Sequence, residues 1–95
     1  MKLSDVATIK TNFPDADFWI IRRGSIKTVG KPVEMFNSEH IGIRVSDTNT
    51  ILPRFLFYVM EEIFRSGQWE LLATGTTQLV NIRTSDVRNI LLVTR

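Results

Sequence analysis

Cysteine is absent from the chain, and histidine occurs once, as His40. Without thiols there is neither a disulfide nor a thiolate metal site, and a lone imidazole cannot build a histidine metal cluster. Catalytic constellations are equally thin. Ser38, Glu39 and His40 adjoin in sequence, but adjacency does not make a triad, and a solvated loop accounts for them better. Asp15 and Asp17 alternate before Phe18, yet two carboxylates without further oxygen ligands make a poor cation site. The expectation is a non-enzyme with no catalytic residue, metal or cofactor. No apolar run approaches the length of a membrane span, and Met1-Lys2-Leu3-Ser4-Asp5 is no signal peptide. The expected address is cytoplasmic, without a membrane partner. Repeats, low-complexity tracts and linkers are missing as well, so residues 1–95 are expected to form one domain.

What is present is ordinary globular composition, 43% hydrophobic and 23% charged, which speaks against disorder. Net charge is only +2, and its sign argues against an acidic mimic of DNA. The distribution says more than the total. Between Ile20 and Lys31 stand Arg22, Arg23, Lys27 and Lys31 with no acid, and from Leu71 onward Arg83, Arg88 and Arg95 face Asp86 alone. Two such zones suit an anionic backbone, and a merely solvated surface is the alternative.

Leu71–Leu92 organises the rest. It reads as apolar approach, polar turn, short strand, capped helical turn and closing strand. Ala73–Gln78 is rich in hydroxyls around one glycine, which suits a tight turn carrying exposed donors and acceptors. Leu79-Val80-Asn81-Ile82 alternates, with Leu79 and Asn81 on one face and Val80 and Ile82 on the other. Thr84 or Ser85 is the expected cap of the next turn, and Asp86 sits at its positive end. Ile90–Val93 runs apolar, as a strand buried on both faces would.

Upstream, Lys2–Ala7 predicts a helical turn capped by Ser4 with Leu3 and Val6 inward, followed by a strand at Thr8–Thr11 and a turn at Asn12–Asp15. Phe18–Arg23 is rich in β-formers, and Gly24-Ser25 predicts a two-residue loop to a hairpin partner at Ile26–Val29. Phe36–His40 is expected as an irregular loop. Ile41, Ile43 and Val45 share one strand face and Gly42 and Arg44 the other, where glycine permits another backbone to approach, from a neighbouring strand or a ligand. Pro53 and Gly67 bracket a helix whose Leu52, Phe55, Leu56, Val59, Met60 and Ile63 follow buried-face spacing. Glu61 and Arg65 stand four apart opposite that stripe. Phe57 and Phe64 widen the apolar arc. Either a small core needs that area, or Phe57, Met60 and Phe64 form a partner interface. Trp69 suits a core anchor better than a stacking platform. The order of elements predicts an α+β fold, a mixed or antiparallel sheet with one long helix and short capped helical turns.

Several of these stretches resemble a known family. Lys2-Leu3-Ser4-Asp5-Val6-Ala7-Thr8-Ile9 looks like the opening of a target recognition domain from a type I restriction–modification specificity subunit. Leu52-Pro53-Arg54-Phe55-Leu56-Phe57-Tyr58 resembles the segment there in which a proline precedes an aromatic helix. Gly75-Thr76-Thr77-Gln78, Leu79–Ile82 and Ser85–Ile90 resemble the family's Gly-Thr-Gln turn, strand and capped close. Both ends are covered well and the middle poorly. The resemblance implies a target-recognition-domain-like fold and sequence-specific binding of double-stranded DNA for a methyltransferase or restriction complex. The chain is shorter than a usual recognition domain, carries one where a subunit has two, and ends at Arg95 without the long spacer helix. A minimal or truncated relative is therefore expected, either a stand-alone DNA binder or a decoy that competes for subunits.

The leading expectation is a DNA-binding module. Arg22, Arg23, Lys27 and Lys31 would meet phosphates, and Thr76, Thr77, Gln78 and Arg83 would address base edges, since Gln suits adenine and Arg suits guanine. A turn that bonds only its own backbone is the alternative for Gly75–Gln78. The runner-up is a protein-interaction module that engages restriction–modification subunits, or a second copy of itself, through the long helix. Non-specific RNA or single-strand binding ranks third, because aromatics do not interleave with the basic residues.

Overall fold

Runs of alternating residues and the glycines and prolines between them set the element order. In the computed structural model, which describes residues 1–76 and 78–92, Leu3–Asp5 form a 3-10 turn. The strands are β1 (Ala7–Thr11), β2 (Phe18–Ile20), β3 (Arg23–Gly24), β4 (Pro32–Val33), β5 (Ile41–Val45), β6 (Thr74–Thr76) and β7 (Leu79–Asn81). The helices are α1 (Pro53–Arg65), α2 (Gln68–Leu72) and α3 (Thr84–Arg88). The expectations placed on Thr77, Val93 and Arg95 lie outside the described residues.

Two antiparallel sheets result, a four-stranded one in the order β1-β5-β2-β4 and a three-stranded one in the order β3-β7-β6. With the helices, this is the α+β architecture expected. In the larger sheet, Ile43 of β5 lies between Ile9 of β1 and Phe18 of β2. All three are buried, and Phe57 of α1 meets Phe18 edge to face with ring centroids 5.3 Å apart. Directly paired residues share a sheet face, so this row is the inner one. On the other face Gly42 lies under Phe13, Ala16 and Trp19, and a Cβ there would come within 2.7 Å of the Phe13 Cβ. The space over Gly42, expected to admit another backbone, is taken by side chains of the protein itself. Trp19 Nε1 donates to the Phe13 carbonyl at 2.9 Å and closes that layer.

Helix α1 starts at Pro53 and stops before Gly67, whose φ of +81° suits a residue without Cβ. Leu56, Met60 and Ile63 are buried, whereas Leu52 and Phe55 are 62% and 61% exposed. The predicted stripe is therefore too wide on one side: the helix turns Leu56, Met60 and Ile63 inward, and Phe57, Val59 and Phe64 pack half-buried at the margins. Glu61 and Arg65 pair at 3.8 Å on the outside. Trp69 on α2 is a core anchor, almost fully buried.

Three local expectations are corrected. Ile26–Val29 is not a hairpin partner of β2. Thr28 and Val29 N–H instead bond back to the Ser25 carbonyl, Val29 enters the core, and β2 pairs with β5 and β4. Ser4, Thr84 and Ser85 do not cap their turns. Asp5 and Asp86, third in each turn, reach back to the N–H of Lys2 and Arg83, so a carboxylate inside the turn does what a hydroxyl before it was expected to do. The closing stretch is not buried on both faces either. Leu91 makes a lone antiparallel bridge with Lys2 and stays exposed, while Ile90 and Leu92 turn into the core.

Candidate nucleic-acid interface

The three-stranded sheet brings together residues that are far apart in sequence. Register pairs Arg23 with Asn81 and Asn81 with Thr74, and two residues along the strand it pairs Leu79 with Thr76. These five side chains share one face by the period of two along a strand. Arg23, Thr74, Thr76 and Leu79 are exposed and Asn81 is half-buried. The opposite face carries Val80, which is buried between Gly24 and Gly75 and joins the core, and Ile82 follows it inward. The alternation expected over Leu79–Ile82 is therefore what anchors the hairpin and leaves its other face open.

Gly75 makes this possible. Its φ is +120°, and a Cβ there would run into the Leu79 carbonyl and stand 3.1 Å from the Val80 Cα. The polar stretch is thus less a loop than a hairpin arm, with Thr74–Thr76 in β6 and Gln78 exposed just before β7. Thr74 Oγ1 donates to Asn81 Oδ1 at 3.2 Å, which orients the Asn81 amide on the open face. The apolar approach expected at Leu71 and Leu72 is the end of α2, and both leucines are exposed.

The basic residues lie in β3, just before it, and on the loop that follows it. Arg22 precedes β3, and its carbonyl accepts from the Ile82 N–H at 3.0 Å, extending the β3–β7 pairing. Among the described residues, Arg22 Nε is buried with no hydrogen-bond partner. The 25–31 loop returns to the same place, because Gly30 N–H donates to the Ile21 carbonyl and Ile21 N–H donates to the Lys31 carbonyl. Gly30, at φ +86°, lies against the Trp69 ring, where a Cβ would overlap the indole. Lys27 and Lys31 are exposed on that loop. No carboxylate stands in β3, β6 or β7.

Arg83 is differently disposed. Its guanidinium is held by Asp86 through Nε to Oδ2 and Nη2 to Oδ1, both at 3.2 Å. Such a pair is worth little at a surface and opens readily to a stronger partner. Arg88 Nη2 bonds the Ile9 carbonyl at 2.9 Å and so fastens α3 to β1. Asn81, absent from the residues expected to address bases, lies in the centre of the open face. Its signal was the alternation that placed it beside Leu79.

The long helix offers other side chains than expected. Met60 is fully buried and Phe57 and Phe64 are packed against the core, so the helix presents Leu52, Phe55 and Tyr58 to solvent instead. An open groove of about 700 Å³ runs beside Phe55, Val59 and Ile63 and is closed by Met1, Leu91 and Leu92.

The weak catalytic candidates stay apart. Asp17 Oδ2 accepts from the Val45 N–H at 2.8 Å and has a structural task, and Asp15 is exposed. Burial holds the His40 imidazole below its ordinary pKa, opposed in part by Glu39. No hydrogen bond joins it to Ser38 or Glu39, and its Nδ1 is buried without a partner. Among the described residues no group of three or more acidic or histidine side chains could hold a metal ion. None of their helices is long and apolar enough to cross a membrane.

No family model matches the chain, and no curated protein matches it. Among solved structures, the chain is similar to a type I restriction–modification system S subunit from M. genitalium. The likeness has a TM-score of 0.73 at 16% sequence identity and covers 95% of this chain. The chain spans 32% of that subunit's length. The shared feature is the fold, that of a part of such a subunit.

Proposed function

We propose that residues 1–95 form a target-recognition-like unit that binds double-stranded DNA sequence-specifically and catalyses nothing, in the cytoplasm and in the service of a restriction–modification system. One observation carries this reading. Strand register puts Arg23, Thr74, Thr76 and Asn81 on one open face with Leu79, and Arg22 precedes Arg23 in the chain, with Lys27 and Lys31 on the loop that follows β3. Cations beside a row of hydroxyl and amide groups match the two tasks of a DNA reader, phosphate contact for position and base-edge contact for sequence. Arg22, Arg23, Lys27 and Lys31 take the phosphates. Thr76, Thr77 and Gln78 address base edges, and Arg83 joins them once it exchanges Asp86 for the duplex. The S subunit likeness in fold supports the same direction.

Competition titrations against selected and random duplexes test this. Affinity should fall steeply with salt, and Arg22→Ala should weaken both duplexes alike and flatten the log–log salt slope by ~1. Gln78→Ala should cost about 1–3 kcal/mol on the selected duplex and little on the random one. Equal losses on both for Gln78→Ala would leave the hairpin tip as a plain turn. Affinity that ignores salt would remove DNA from the account altogether.

A second reading is favoured by the exposed side of α1. There Phe55 lines the apolar groove, Leu52 and Tyr58 are exposed as well, and this side would meet a methyltransferase or restriction subunit, or a second copy of this chain. Leu52→Ser combined with Phe55→Ser should preserve the fold, because both are exposed, and abolish the association while DNA binding persists. Self-association unchanged in sedimentation, and subunit capture equally unchanged, would discard this surface.

A further inference from the structure

Leu79 stands where the fold has no use for it. The side of β7 that supports the sheet is Val80, with Ile82 beyond the strand, and both are buried. Leu79 points the other way and is 66% exposed. Its surroundings on that face are polar, with Thr76 directly opposite and Asn81 two residues along. Leu71 is exposed too, but on α2 and off this sheet. An isolated leucine held on a row of hydrogen-bonding groups, beside a basic zone, calls for a ligand with one small apolar group among many polar ones.

The major groove of duplex DNA has that character. Its base edges present donors and acceptors throughout, and the one apolar group on them is the 5-methyl of a pyrimidine. Resting on the DNA-binding reading above, we infer that Leu79 determines specificity by packing against a pyrimidine 5-methyl group, that of thymine or of 5-methylcytosine. Gln78 is its neighbour in the chain, and its amide suits the adenine that pairs with thymine. Gly75 fixes the geometry of this row, since the hairpin closes only while the space over the Leu79 carbonyl stays free.

The test uses the full chain and a duplex that it enriches from a random pool. Affinities of the wild type and of Leu79→Ala are measured on that duplex, on a version with uracil in place of thymine, and on a version with 5-methylcytosine in place of cytosine. Removal of one buried methyl group should weaken the wild type about fourfold. If thymine supplies the methyl, uracil brings that loss. If 5-methylcytosine supplies it, methylation brings a gain of the same size and uracil changes nothing. In either case Leu79→Ala should bind more weakly than the wild type on the methyl-bearing duplex and ignore the substitution, because the coupling between side chain and methyl is gone. Leu79→Met, which keeps an apolar side chain, should remain sensitive. Matching circular dichroism and melting would show that these surface variants fold. A wild type indifferent to both base changes, or Leu79→Ala responding as the wild type does, overturns the inference and leaves DNA binding standing. Absence of any duplex binding at low salt, or of any enriched sequence, removes the inference together with the reader.

Discussion

The two sheets of this small chain differ in what they do with their faces. The four-stranded sheet is covered on its inner face and on part of the other: Ile9, Ile43 and Phe18 form an inner row, and Gly42 lies under Phe13, Ala16 and Trp19 on the reverse. The three-stranded sheet is covered on one. Val80 fastens it to the core, while Arg23, Thr74, Thr76 and Leu79 face solvent. Most residues of the larger sheet are buried and contribute apolar area to stability, and its outer face opens only at Thr8, Lys10 and Arg44. The smaller sheet has only three-residue arms and a two-residue edge, too little to stand alone in water. It persists because the larger body holds Val80 and Ile82. One sheet supplies stability and the other spends some of it on presentation.

The largest effect that would sharpen this contrast is expected at Ile43→Ala. It empties the centre of the inner row and should cost about 2–5 kcal/mol in denaturant unfolding. A cost near zero would mean that the larger sheet does not carry the fold. Next comes Gly75→Ala, which meets both a positive φ and the Leu79 carbonyl. About 1–3 kcal/mol of strain should be relieved locally by opening the hairpin. Duplex affinity should then drop further than global stability does. The matched control, Thr76→Ala on the exposed face, should shift stability by less than about 0.5 kcal/mol while still lowering affinity. If Gly75→Ala and Ile43→Ala unfold the chain alike and Thr76→Ala changes nothing, the two sheets are one structural unit without division of labour.

Much of the candidate site was legible. Alternation identified the open and buried sides of Leu79–Ile82, and charge distribution picked out Arg22, Arg23, Lys27 and Lys31. The engagement of Arg83 by Asp86 was not legible, because a rotamer choice between two exposed partners leaves no mark on spacing. Nor was the exposure of Phe55. Helical periodicity ranks the faces of α1, but the width of the buried arc depends on what packs against it, and here β4 and α2 cover only part.

By itself the sequence determined whatever rests on neighbours a few residues apart. Pro53 and Gly67 bound the long helix, the Ile41-Ile43-Val45 alternation makes a strand, and the absence of cysteine excludes a disulfide or thiolate scaffold. Such features follow from local sterics and side-chain period, which act whatever the rest of the chain does. Pairing partners were decided only in the tertiary structure. Gly24-Ser25 had the local chemistry of a hairpin loop, yet β2 took β5 and β4 as neighbours, and Arg23 took Asn81 from the far end of the chain. A strand of two or three residues has too few side chains to specify a register alone. It pairs wherever the core, once assembled, holds a complementary edge in place.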